Sequence, residues 1–422
     1  MKSARRSDVD TISNLPCNVV DEILGCLPLK DAVKTSILSK DWRYKWVTRQ
    51  ELDFGYNFFG SFAHDQEAKT IIYQVLLIYK GPILKFKLGG FNLKSCPDID
   101  HWILFLSKKN IQEFTLHIWS GNIYHLPSHL FTFQQLRRLE IHKCLFYPPS
   151  GFKGFEKLIN LDFDRVTFVP SIFRNLISKC PLLERLRLLW CTDFDTLEIV
   201  APNLKFFEFR GKSKSFCFKN APVLSKVILS LNSPVLADAS PVCSNFMKFF
   251  HCMPSLRELD IRGWLLEYLT KGGLPENPPT ALNNVKTLKT DMSFRNVEEV
   301  SVAVYLITSC PKLQQLTIRC QSVDNDVEPV VHFLRAQSFS GGGVVKLLQR
   351  VHMSTFSGLE MEMEFVRFIL ASAPLLKQIF IWNYSCFLLR PGRQLMNEIK
   401  QYRRASPDVE FKFEEVDVDD LV

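Results

Sequence analysis

LRRLEIHKC (Leu136–Cys144) and LERLRLLWC (Leu183–Cys191) repeat one pattern, L-x-x-L-x-L-x-x-C, with Ile141 in the third apolar slot of the first copy. Side chains alternate along an extended chain, so the second and third apolar positions share one face of a short strand. Weaker copies run in both directions: Ile83/Phe86/Leu88, Ile111/Phe114/Leu116, Leu158/Leu161/Phe163 and Leu204/Phe207/Phe209. Further along come Leu224/Val227/Leu229, Leu256/Leu259/Ile261, Val285/Leu288, Leu313/Leu316/Ile318, Leu348/Val351/Met353 and Leu376/Ile379/Ile381.

The first positions step by 28, 25, 22, 25, 21, 20, 32, 29, 28, 35 and 28 residues. Most of these steps lie near the roughly 20–29 residues of a leucine-rich repeat. Several strands follow a stretch with apolar residues three and four apart: Ser171–Cys180, Ser244–Cys252, Ser301–Cys310 and Met363–Ala373. Near each such end stands a proline (Pro181, Pro254, Pro311, Pro374), with Pro202 and Pro222 in shorter units. A proline there stops a helix and sends the chain into the next strand. One helix–Pro–strand unit cannot bury its apolar face alone, but stacked units can. The expected fold class is therefore α/β, a leucine-rich-repeat solenoid with a curved parallel β-sheet inside and helices outside.

Composition agrees. The chain has 422 residues, 46% of them hydrophobic and 35 of them Phe, enough for a large aromatic-rich core. No apolar run reaches the roughly 18 residues of a membrane span. The opening MKSARRSDVD is charged and no apolar stretch follows it, so no secretory signal is read there. Twelve Cys without such a signal point to a reducing compartment, cytoplasmic and/or nuclear. A net charge of +8 permits nucleic acid contact without demanding it, and Arg5-Arg6, Lys108-Lys109, Arg137-Arg138 and Arg403-Arg404 are isolated pairs.

Catalytic and metal chemistry find no support. No C-x2-C spacing occurs. Cys144 and Cys191 fill the last slot of the repeat, while Cys180 and Cys310 stand directly before Pro, so both pairs read as buried thiols. His125 and His129 have the spacing of a helical metal pair, but Pro127 separates them and an exposed loop is expected. Gly341–Gly343 lack the G-K-[ST] ending of a phosphate loop. No Ser/His/Asp order or paired carboxylate motif is present. The expectation is a non-enzyme with no cofactor and no metal.

Ahead of the repeats lies ISNLPCNVVDEILGCLPLKDAVKTSILSKDWRYKWV (Ile12–Val47). Val20, Ile23, Leu24 and Leu27 form one helical stripe. Pro28 and Leu29 interrupt it; Ala32, Val33, Ser36 and Ile37 suggest a second short helix. Ser39 is placed to cap a third, with Trp42 and Trp46 on one face. Three such helices cannot bury this much apolar surface among themselves. The remainder must pack on the repeats or on another protein.

These residues carry a resemblance. The Leu-Pro opening, Ile-Leu, the second Leu-Pro, DAVKTSILSK and the spaced Trp pair resemble an F-box of the plant F-box/leucine-rich-repeat type. VHMSTFSGLEMEMEFVRFILASAPLLKQIFIW (Val351–Trp382) is similar to the FBD element of such proteins. Cys17 stands where the family usually has Asp, which weakens the first helix cap, and Asp41 stands where a basic residue is common.

The resemblance implies a short all-helical F-box at 12–50 after a disordered 1–11, repeats over 51–345, FBD-like repeats over 346–413 and an acidic tail over 414–422. It implies a substrate-recognition adaptor of an SCF-type E3 ubiquitin ligase. The F-box would bind a Skp1-like protein, which leads to a cullin and a RING subunit, and the repeats would bind an unknown target protein. Leu15, Pro16, Val20, Ile23, Leu24, Leu27, Pro28, Val33, Leu38 and Trp42 are the expected Skp1-binding contact or support residues. The other reading is a repeat scaffold that binds protein or RNA without ligase assembly; the net charge supports it and the specific N-terminal motif speaks against it. Neither nucleic acid nor membrane is expected as a partner of the adaptor.

The target should meet the outward strand positions. One row is Glu140, Asp162, Arg187, Glu208, Asp260, Lys289; the next is His142, Asp164, Leu189, Arg210, Arg262, Arg319. Acids and bases alternate between these rows, so the face reads either as solvated and self-paired or as a groove whose Arg210, Arg262 and Arg319 bind target. The insertions Leu231–Ser244 and Gln337–Val345 lengthen loops that can carry specificity.

Overall fold

The computed structural model describes residues 15–62, 64–94, 97–233, 249–250, 252–270, 273–294, 296–321, 328–340, 345–384 and 391–416. The expectations for residues 1–11, for Gly341–Gly343, for most of the loop after residue 233 and for the end of the acidic tail lie outside these residues. The chain forms two compact units, Met1–Leu183 and Glu184–Val422.

The first unit opens with helices Cys17–Cys26 and Leu29–Lys34 and 3-10 turns Thr35–Ile37 and Lys45–Thr48. Strands β1 (Glu51–Phe54), β2 (Lys85–Lys94) and β3 (Glu113–Ser120) follow. After these come β4 (Tyr124–His125), β5 (Arg138–His142), β6 (Cys144–Leu145) and β7 (Asn160–Asp164). The order β1-β2-β3-β5-β7 is parallel throughout, and β4 pairs with β6 beside it. Helices Asp65–Ile78, Pro97–Leu106 and Pro170–Ser178 lie between strands. Register places Leu52, Phe86, Phe114, Leu139 and Leu161 in one row and Phe54, Leu88, Leu116, Ile141 and Phe163 in the next, all fully buried. Each such side chain contributes roughly 1.5–3 kcal/mol relative to exposure.

The second unit continues with β8 (Arg185–Leu189), β9 (Phe194–Val200), β10 (Phe206–Gly211), β11 (Ser213–Lys219), β12 (Lys226–Leu231) and β13 (Glu258–Gly263). Its last strands are β14 (Thr287–Ser293), β15 (Gln315–Gln321), β16 (Arg350–Ser354), β17 (Gln378–Tyr384) and β18 (Glu410–Val416). The order β8-β10-β12-β13-β14-β15-β16-β17-β18 is again parallel, flanked by helices such as Val297–Thr308 and Glu360–Ser372. The architecture is thus short N-terminal helices followed by mostly parallel sheet with flanking helices, as in a leucine-rich-repeat protein. A separate β9–β11 pair occupies the two shortest repeats, where there is no room for a helix.

The prolines act through one recurring turn. Cys180, Ala201, Ala221, Met253, Cys310 and Ala373 each precede a Pro and accept, through their carbonyls, the N–H of the repeat's first Leu three residues on. Pro is favoured at the second position of such a turn because its φ is preset. The residue before it is small or flexible and buried, which explains why Cys180 and Cys310 stand there. Burial pushes their thiols up, Cys180 to about 11 and Cys310 to about 12. Cys144 and Cys191 make the same bond, each Sγ to the carbonyl two residues back (His142 and Leu189), although Cys191 is only half-buried.

The third N-terminal helix is not α-helical. Ser39 Oγ accepts the Trp42 N–H at 3.3 Å, as a cap would, but the chain then turns and tightens into the 3-10 turn Lys45–Thr48. A helix this short gains little from its own hydrogen bonds. Burial of Trp42, Trp46 and Val47, followed at once by the entry into β1, decides the backbone instead.

Candidate partner-docking site and recognition face

Two prolines shape the N-terminal site. Pro16 and Pro28 hold extended backbone (φ −55°, ψ 145° and φ −54°, ψ 150°), and each starts a helix immediately after. Neither helix has a side-chain cap, and the first has no acid in its first turn, Cys17 being exposed there. Helix Cys17–Cys26 buries Val20 and Leu24, and helix Leu29–Lys34 buries Leu29 and Ala32. Trp42 is buried with the Lys45 ammonium 5.3 Å from its ring centre. Ser36 Oγ donates to the Arg43 carbonyl at 2.8 Å and ties the two ends of the intervening turn together.

The ten expected residues therefore divide. Val20, Leu24 and Trp42 lie inside and can act only as support. Leu15, Leu27 and Val33 are half-buried, while Pro16, Ile23, Pro28 and Leu38 reach solvent. The structure adds Ile37, 87% exposed beside Leu38 at 52%, with Tyr44 exposed nearby in sequence. In the sequence Ile37 is among the residues that suggest the second short helix. The available signal was the pair Ile37-Leu38 itself: neighbours on a helical turn point about 100° apart, so one packed face cannot hold both.

On the second unit the three outward arginines stand on β10, β13 and β15. Arg210 is opposite Ser230, Ser230 opposite Arg262, and Arg319 opposite Asp291. Each guanidinium is paired with a carboxylate. Arg210 Nη2 lies 2.8 Å from Glu208 Oε1, and Glu208 also accepts from Arg187 Nε at 3.0 Å. Arg262 forks onto Asp260 at 2.8 and 2.6 Å, and Arg319 bonds Asp291. Glu208, Asp260 and Asp291 are buried while the arginines stay partly exposed. Burying an unpaired carboxylate is costly, so neutralising these acids is a structural task of the row. The Asp260 bond holds Arg262 above the ordinary guanidinium range.

His125 and His129 are exposed and do not share a helix. Among the described residues no group of three or more His, Cys, Asp or Glu is placed to hold a metal ion, and no helix is long and apolar enough to cross a membrane.

Three family profiles match the chain: "F-box domain" over residues 12–51, "FBD-associated F-box protein At5g56370, LRR repeats" over residues 99–318, and "FBD" over residues 345–381. The chain is similar to F-box/FBD/LRR-repeat protein At1g13570 of Arabidopsis thaliana, 32% identical across 96% of this chain and 98% of that one. F-box/FBD/LRR-repeat protein At4g00160 of the same plant is 27% identical over 96% and 94% of the two chains. A third relative, At3g26920, is 23% identical over 96% and 97%. Helical N-terminus, parallel repeats, FBD segment and end-to-end similarity converge: the chain belongs to the F-box/FBD/LRR-repeat family.

Proposed function

We propose that the chain is the substrate-recognition adaptor of an SCF-type ubiquitin ligase, working in the cytoplasm or nucleus. Its F-box docks on a Skp1-like protein, and through it on a cullin and a RING subunit. In this reading the chain does no bond chemistry; it raises the concentration of a bound target near the ubiquitin-charged conjugating enzyme. Each sheet would form the inner face of a curved solenoid, and target would lie against it.

The observation that carries this reading is the solvent-facing pair Ile37 and Leu38 in a segment whose Leu24 and Trp42 are buried. Large apolar side chains held outward by a packed support have the form of an interface centre. Purified chain mixed with a purified Skp1-like protein should co-elute in gel filtration, and separate elution at micromolar concentrations would count against the adaptor role.

Arg210, Arg262 and Arg319 belong to the proposed target face. Their paired geometry leaves part of each planar guanidinium available for carboxylate or phosphate. Alanine at all three should weaken target capture and leave Skp1-like binding unchanged. Equal capture by the triple variant would reduce the row to its structural task.

A further inference from the structure

The outward strand face of the first unit holds a cavity of about 690 Å³, a size typical of ligand pockets. Gly89 opens it: a Cβ there would stand 2.7 Å from His117 Cβ. Trp119 lines it and is 43% exposed. Its lining carries three carboxylates, Glu51, Glu113 and Glu140, and three permanent cations, Lys85, Lys87 and Arg138. Lys85 and Lys87 already pair with Glu113 and Asp53 at 3.2 and 3.5 Å, which leaves Glu51, Glu140 and Arg138 outside these two pairs.

The imidazoles fix the sense of the hydrogen bonding. His142 is 3% exposed, and its Nδ1 lies 2.9 Å from Asp164 Oδ2. A carboxylate only accepts, so Nδ1 donates in this bond, and Nε2 is the ring nitrogen left over. That Nε2 is buried with no hydrogen-bond partner among the described residues. Asp164 stands on β7, so the opposite edge of the ring, with Nε2, turns toward β3. There Trp119 lies tilted against the imidazole, 4.3 Å between centroids at 31°, and His117 lies edge-on at 6.0 Å. His117 Nε2 in turn bonds Glu140 Oε1 at 2.9 Å. The same bond holds the Glu140 carboxyl below the usual carboxylate range, so it is ionised at neutral pH.

This wall offers the ionised Glu140 carboxylate and the indole of Trp119. An anionic ligand on Trp119 would meet that carboxylate charge against charge. A guanidinium has five N–H donors, no acceptor and a flat face that stacks on Trp. We propose that this pocket takes an arginine side chain from a segment of the captured protein, stacked on Trp119 and bonded to Glu140. The proposal rests on the reading that the strand face captures target.

The test is calorimetric titration of the full chain with acetyl-Gly-Gly-Arg-Gly-Gly-amide and with the same peptide carrying citrulline or glutamate at its centre. The arginine peptide should bind saturably, and citrulline, which keeps the shape and loses the charge, should bind at least about tenfold more weakly. Trp119→Ala and Glu140→Gln, both at partly exposed positions, should each weaken the arginine peptide about tenfold with an unchanged melting curve. No saturable binding up to about 5 mM, equal binding of the citrulline or glutamate peptide, or undiminished binding in both variants would overturn the proposal. The titration needs no Skp1-like protein. A chain that binds the peptide but fails to co-elute keeps the pocket and loses the adaptor role, and the converse loses only the pocket.

Discussion

Glu362 shows how a single residue can hold the FBD segment together. It is fully buried, and its Oε2 accepts the N–H groups of Ser357, Gly358 and Leu359 at 2.9, 2.7 and 3.1 Å. These donors sit at the start of helix Glu360–Ser372, where the peptide dipoles also favour a negative charge. Its neighbour Glu364 is held differently, its Oε1 by Arg335 and Arg367 at 3.2 and 2.8 Å. Glu362→Ala would strand three backbone donors, so it should lower unfolding stability by about 3 kcal/mol or more; a shift below about 1 kcal/mol in denaturant titration would refute this role. The sequence shows three glutamates in LEMEMEF but not that two of them, Glu362 and Glu364, face inward. A charged residue at a buried position becomes legible only once its partners are placed.

At the scale of the element, the repeat pattern reads directly from sequence because three apolar positions per strand all become buried. Register confirms the alignment of Leu139 with Leu161 and of Leu186 with Phe207. Strands β1 and β18 were not legible as repeats, since ELDF and EFKFEEV are short of flanking apolar positions and sit at the ends of the series. The third N-terminal helix was misread because tryptophan packing overrode a local cap. A further regularity lies just beyond the strands. Lys143, Arg165, Trp190, Gly263 and Thr355 all have φ between 53° and 63°, four residues after the strand's second apolar position. Side chains pay a modest penalty in this left-handed region, yet four repeats tolerate one. Gly263 differs, because a Cβ there would lie 2.0 Å from the Leu231 carbonyl oxygen. Gly263→Ala should therefore cost about 2–4 kcal/mol, conformational strain plus overpacking, while Arg165→Gly should change stability by less than about 1 kcal/mol. Similar losses for both variants in thermal unfolding would contradict this distinction.

For the whole molecule, the division of labour was legible from motif order: apolar helices first, repeats next, FBD segment near the end. The finer surface was not. That Ile37 and Leu38 both stay outside follows from how the N-terminal turns pack, and the outward face of the first unit depends on two histidine bonds across strands. The second unit's face carries arginines bonded to buried acids, so its charge cannot be read as a simple sum over exposed residues. The central claim is that this chain meets a Skp1-like protein through the outward apolar surface of its N-terminal helices. The most direct measurement is titration of a purified Skp1-like protein into the full chain and into Ile37→Asp/Leu38→Asp. The variant should lose about 4 kcal/mol of binding, about a thousandfold, with the repeats' thermal unfolding unchanged. Wild-type affinity in a fully folded variant would contradict the account.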